Sequence, residues 1–311
     1  MLARTAASLY WIGRYMERAE FITRLVEATI RLSALGDHDE GDQAWASALR
    51  VVGAFDAFAA SGEGFSAMNA RRHLTLSEDN PSAIRSCLAA ARDNARAART
   101  ALTVEAWEAI NRAWLLIRDR ASPGGAQATL NLVDGLKAEI RGFEGAVARM
   151  LRSEGLWFLH LGAAIERGDN TARLLDVKYY LLLPPGQEVG GALDRDQWTT
   201  ILQIVSAKTA YRHIYREALQ PWLVADFLIF RDEMPRSLAA SAAETVDLLG
   251  HLAARSGRQG PADRLARQRL GRIGDLAISK VFQEGLHEWL QLYIGENAAL
   301  DQAVAQQFRF A

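Results

Sequence analysis

Long stretches of the chain place apolar side chains every third or fourth residue, with Ala, Leu, Arg and Glu filling most positions between. That spacing lays an apolar face along a helix, and those residues are strong helix formers. Glycine and proline gather in short clusters between the stretches: Ser61-Gly62-Glu63-Gly64, Glu78-Asp79-Asn80-Pro81, Ser122-Pro123-Gly124-Gly125, Pro184-Pro185-Gly186 with Gly190-Gly191, and Ser256-Gly257-Arg258-Gln259-Gly260-Pro261. Reading these as turns predicts helices near 2–34, 43–59, 65–76, 82–101, 104–120, 127–149, 151–182, 196–217, 219–230, 235–255, 262–282 and 284–307. No alternation of period two runs long enough between turns to make a sheet. The expected fold class is all-α.

The sequence also matches itself. At an offset of 149, Gly13, Glu17, Arg18, Arg24 and Leu25 fall on Gly162, Glu166, Arg167, Arg173 and Leu174, while Glu20 and Glu27 fall on Asp169 and Asp176. At 153, Trp45, Leu49, Val51 and Val52 fall on Trp198, Leu202, Ile204 and Val205, and at 154 Pro81 and Ile84 fall on Pro235 and Leu238. An ordered series of matches with small insertions predicts an internally duplicated bundle, with repeats at 1–149 and 150–311 related by a pseudo-twofold axis. The pattern over 127–182 reads as nearly continuous helix across the junction, so no flexible linker is expected.

The best-matched helix carries an unusual stripe. Positions 13, 17, 20, 24 and 27 share one helical face within roughly 80°, and they hold Gly13, Glu17, Glu20, Arg24 and Glu27, with Gly162, Glu166, Asp169, Arg173 and Asp176 as their counterparts. Leu9, Trp11, Ile12, Tyr15, Met16, Ile22, Leu25, Val26 and Ile30 cover much of the remaining circumference, so the helix belongs inside a bundle and its charges are enclosed. Enclosed carboxylates need partners. Glu20 with Arg24 and Arg24 with Glu27 are spaced for intrahelical pairing, and Arg14, Arg18 and Arg167 are further candidate partners. Two facing stripes would gather six carboxylates and two guanidinium groups. Such a cluster is either a structural network that fixes helix register or an acidic site for an amine substrate or a divalent cation.

Other chemistry is thinner. Arg85, Arg92, Arg96 and Arg99 share a face over 82–101 and form a candidate docking surface for an acidic partner or a phosphate-bearing ligand. Glu284 and His287 have the spacing of half a di-iron motif with no second half, so no metal site is assigned. Cys87, in an apolar helical context, reads as core. No glycine-rich phosphate loop occurs, so ATP, if used, is bound by a partner. The 311 residues are half apolar, and 36 Lys and Arg balance 37 Asp and Glu. That balance gives no pointer to nucleic acid or an anionic membrane surface. One cysteine and no apolar run of membrane-spanning length lead us to expect a cytoplasmic protein.

Four segments together resemble the bacterial alpha-E domain family: Met1-Leu-Ala-Arg-Thr-Ala-Ala-Ser-Leu-Tyr-Trp-Ile-Gly-Arg-Tyr-Met-Glu-Arg-Ala-Glu20, Asp79-Asn-Pro-Ser-Ala-Ile-Arg-Ser-Cys-Leu88 with Ala91-Arg-Asp-Asn-Ala-Arg96, Glu166-Arg-Gly-Asp-Asn-Thr-Ala-Arg-Leu-Leu-Asp176, and Glu284-Gly-Leu-His-Glu-Trp-Leu290. The resemblance runs nearly end to end. The family's characteristic glutamates match Glu17, Glu20 and Glu166, with Asp169 in place of a fourth. It implies a setting beside circularly permuted ATP-grasp proteins, often with transglutaminase-like proteases nearby, and hence work on peptide amide bonds. Two roles follow. In the first, the stripes bind an amine, Glu17 and Glu166 act as general bases, Glu20, Glu27, Asp169 and Asp176 set the charge, and Arg24 and Arg173 hold the carboxylates or a substrate carboxylate. In the second, the chain is a non-catalytic interaction module whose stripes are a structural core.

Overall fold

The computed structural model describes residues 1–34, 38–180 and 191–310. Among them are fifteen α-helices and no strand: α1 (Ala3–Ser33), α2 (His38–Val51), α3 (Phe55–Ala60), α4 (Ala67–Thr75), α5 (Ile84–Ala97), α6 (Val104–Ile117), α7 (Ala126–Val147), α8 (Glu154–Tyr180), α9 (Ala192–Ile204), α10 (Lys208–Tyr215), α11 (Pro221–Phe230), α12 (Leu238–Ser256), α13 (Pro261–Gly274), α14 (Ile278–Glu284) and α15 (Leu286–Phe308). The all-α class is as expected. The expected break at Pro184-Pro185-Gly186 lies outside the described residues.

Local chemistry sets the helix ends. Ser66, Thr103 and Ser237 accept hydrogen bonds from the backbone N–H groups of Asn69, Ala106 and Ala240, which caps α4, α6 and α12. Pro221 and Pro261 open α11 and α13, where a missing N–H costs nothing. Three expected helices are each divided. The one at 43–59 breaks at Gly53, in the left-handed region at φ 68°, and the one at 196–217 breaks at Ser206, at φ 58°. The one at 262–282 breaks between Gly274 and Ile278. The junction is not continuous helix either: α7 ends at Val147 and α8 begins at Glu154, and the turn between them exposes Leu151.

The two long helices form the centre. α1 and α8 make the most extensive contact in the molecule, α5 lies on α1, and α12 lies on α8. Outward from these, α6 packs on α5 and α7, while α13 packs on α12 and α15. α2 touches both long helices and α9 touches α1. Leu9, Ile12, Ile22 and Val26 of α1, with Leu161, Ile165 and Leu175 of α8, are buried on several sides of their helices and belong to a core continuous through the bundle. Trp45, Trp198 and Trp289 are buried in it, and Trp107 and Trp114 pack against it.

Candidate functional site

The centre of the bundle is a crossing made by two glycines. A Cβ on Gly13 would lie 1.9 Å from the carbonyl oxygen of Leu159, and one on Gly162 would lie 2.0 Å from that of Tyr10. Only glycine lets the two backbones meet here. One turn further along each helix, the side chains reach across. Glu166 of α8 accepts from Nε of Arg14 at 2.8 Å and from Nε and Nη2 of Arg18 at 2.6 and 3.0 Å. Glu17 of α1 accepts from Nε and Nη2 of Arg167 at 3.3 and 3.1 Å and from Nη1 of Arg236 at 2.5 Å. The Glu-Arg dipeptide of each long helix thus grips that of the other: Glu17 takes Arg167, and Glu166 takes Arg18.

The second guanidinium on each glutamate comes from a different place. Glu166 receives Arg14, one turn before Arg18. The residue that matches Arg14 in α8 is Ala163, and Arg236 fills the role, entering from the residue before the α12 cap with its carbonyl held by the Thr171 hydroxyl at 2.8 Å. Arg236 also lies 3.0 Å from Glu20, which pairs with Arg24 within α1. At the rim, Arg167 reaches Glu244 at 2.8 Å and Arg14 reaches Asp301 at 2.6 Å. Five carboxylates therefore meet five guanidinium groups in this network: Glu17, Glu20, Glu166, Glu244 and Asp301 against Arg14, Arg18, Arg24, Arg167 and Arg236.

The glutamate side chains at its heart are nearly sealed, 1% exposed at Glu166 and 6% at Glu17. Burial by itself would raise their pKa values, but Arg167 and Arg236 outweigh it and hold Glu17 at about 2, and Arg18 and Arg14 lower Glu166. Both are held as carboxylates, each accepting three hydrogen bonds from two guanidinium groups.

The other stripe residues do not join this cluster. Asp169 pairs with Arg173 at 2.7 Å. Glu27 accepts from Arg31 and Lys137, each at 2.5 Å. Asp176 accepts from Gln291 at 2.7 Å and lies 2.6 Å from Nδ1 of His287. Beyond the crossing the stripes diverge, and Arg24 with Glu27 lines one cleft while Arg173 with Asp176 lines another. Sequence reasoning named Arg14, Arg18 and Arg167 as partners but missed Arg236, in the turn before α12, and Lys137 of α7, which lie far along the chain and carry no local spacing signal.

A small cleft of about 110 Å³ opens beside Glu17 and Arg167 and is lined also by Glu144 and His160. Glu144 titrates above the ordinary carboxylate range because of lost hydration and the charges of Glu20 and Glu17, while burial keeps His160 below its usual value.

The expected four-arginine face is divided, because α5 ends at Ala97 and Arg99 follows in a short 3-10 turn, and most of it is spent inside the molecule. Arg85 donates to the carbonyls of Ile117 and Arg120 at the end of α6, Arg92 donates to Asn111 at 2.7 Å, and Arg99 lies over the Trp107 ring at 5.4 Å. Arg96 remains outward, 62% exposed. Cys87 is buried on the same helix, and lost hydration pushes its thiol up to about 12. Among the described residues no helix is long and apolar enough to cross a membrane, and no three His, Cys, Asp or Glu side chains gather as a metal-binding group.

Residues 1–308 match the Alpha-E family, described as a predicted alpha-helical domain with a conserved ER motif. The only Glu-Arg dipeptides in the sequence are those at 17–18 and 166–167. No curated protein and no solved structure matches the chain.

Proposed function

The chain belongs to the Alpha-E family, and from that membership and the interlocked Glu-Arg pairs we propose that it is a non-catalytic helical module serving a separate, circularly permuted ATP-grasp ligase in the making or modification of peptide amide bonds. A transglutaminase-like protease is a further partner in this proposal, and the cytoplasm its setting. The reading includes a duplication of 1–149 as 150–311, supported by the paired glycines and by the parallel packing of α5 on α1 and α12 on α8.

One observation carries the non-catalytic role: each central glutamate is buried and paired with two arginines. A general base needs a pKa near the working pH, and Glu17, at about 2, lies far below it. An amine site needs surplus negative charge, whereas the network balances five against five. Buried, reciprocal ion pairs of this kind fix register. A catalytic reading is favoured at one place, the small cleft where Glu144 and His160 stand beside Glu17.

The test is a reconstituted amide-forming reaction with the ATP-grasp protein. Glu17→Gln is expected to lose activity only in proportion to the fraction unfolded, and Glu144→Gln to retain it. A fully folded Glu17→Gln or Glu144→Gln that still recruits the ligase but gives no product would establish catalysis in this chain. Failure of the two proteins to co-purify would remove the ligase from the proposal.

A further inference from the structure

The far end of the α1 stripe opens into a cleft of about 380 Å³ whose chemistry is opposite to that expected of a glutamate-rich stripe. Among the described residues, Arg24 and Arg31 of α1, Lys137 and Arg141 of α7 and Lys208 of α10 line it, against a single carboxylate, Glu27. Glu27 is occupied by Arg31 and Lys137, and Lys137 also reaches Asp134 outside the cleft. Arg24 turns to Glu20. Arg141 donates to the carbonyl of Lys137 and makes no ion pair among the described residues, and neither does Lys208. Counting Asp134 and Glu20 against the five cations as well, the surplus among the described residues is still two positive charges. The turn into α10 adds neutral donors: the hydroxyl-bearing residues Ser206 and Thr209 line the cleft, and the first turn of the helix has no side-chain cap at Ala207.

The fold does not demand this surplus. At offsets of 149, 153 and 154 the same elements of the other half frame a cleft of about 330 Å³, which holds Arg50 and Arg173 against Asp56 and Asp176. There Gln291 stands where Lys137 does, and Phe55 where Lys208 does. The turn residue differs in the same sense. Gly53 adopts the left-handed conformation at φ 68°, whereas on the cationic side a serine holds φ 58° and keeps its hydroxyl there against the preference of a side chain.

We infer that this cleft binds a compact phosphate anion of multiple charge, such as pyrophosphate or a phosphorylated small metabolite. Arginine, lysine, hydroxyl and helix N–H donors together suit phosphate oxygens. Among the described residues the only apolar lining comes from Ala28 and Leu202, with no aromatic ring, so the site recognises the charged group and no stacked base. The site shares no residue with the small cleft beside Glu17 and does not depend on how the ligase partnership turns out.

Calorimetric titration with pyrophosphate at fixed ionic strength tests the inference. Saturable one-to-one binding is expected, weakened about tenfold or more by Lys208→Gln and by Arg141→Gln, as loss of a charge-assisted contact implies, and unchanged by Arg50→Gln in the matching cleft. Pyrophosphate should also protect Lys208 of the unmodified protein from acylation, a readout that needs no variant. Absence of saturable binding, equal affinity in all variants, or no protection of Lys208 would overturn the site. Equal or tighter binding of citrate would overturn the phosphate assignment.

Discussion

Replacing Gly13 by alanine adds one methyl group and tests the whole crossing. In an exposed helix the change would stabilise by about 1 kcal/mol. Here the new carbon would stand 1.9 Å from the Leu159 oxygen and 3.0 Å from the Ala163 nitrogen, both backbone atoms of a packed helix. Relief requires α1 and α8 to part by about 1 Å, since unbonded carbon and oxygen atoms do not approach within 3.0 Å. That movement carries the Glu17–Arg167 contacts, now 3.1 and 3.3 Å, out of hydrogen-bonding range. Overpacking costs about 1–3 kcal/mol, and part of the about 3–5 kcal/mol of a broken buried pair is added. Set against the helix gain, the net loss is about 2–5 kcal/mol. Urea denaturation followed by circular dichroism measures it, with Gly142→Ala as the control, an exposed α7 position where an added Cβ meets nothing within 4 Å. That control should gain stability. A Gly13→Ala protein as stable as the parent would refute the account of the crossing.

Three further outcomes are expected. Glu166→Ala should lose about 3–5 kcal/mol in the same denaturation assay, because Arg14 and Arg18 are left facing each other without their carboxylate. Glu17 titrates lower in the folded chain, at about 2, than its ordinary value of 4.5, so its pairing contributes fully above pH 4.5 and is lost as the pH falls toward 2. The acid slope of stability over that interval should therefore flatten in Glu17→Gln, and an unchanged slope would contradict the depressed value. Cys87 should resist thiol reagents in the native protein and react only on unfolding, a single-site reporter of opening read by mass spectrometry.

The helices were legible in the sequence because their apolar spacing and their breaks are local. The divided helices were not, since Ser206 gives no sign in its own neighbourhood that it will take a left-handed turn. The stripe of Glu17, Glu20 and Arg24 was legible as enclosed charge. What it enclosed was less so. Arg236 lies 219 residues from Glu17, and its role follows from Ala163 standing where the other half has Arg14. The cationic cleft was hidden for the same reason: its charges come from α1, α7 and α10, each unremarkable alone. The arginines at 85, 92 and 99 read as a surface stripe because periodicity cannot reveal that α6 and the turn after it supply Asn111, Trp107 and two carbonyls to meet them.

Glu17 reaching Arg167 while Glu166 reaches Arg18 is the pattern that two identical subunits make across a twofold axis. A single half could have made it with a copy of itself, in an ancestral homodimer. Such a dimer must carry two identical clefts, because every mutation appears twice. Under the proposed duplication, fusion into one polypeptide lifts that rule, and one cleft is then free to acquire lysine while its twin drifts to neutrality.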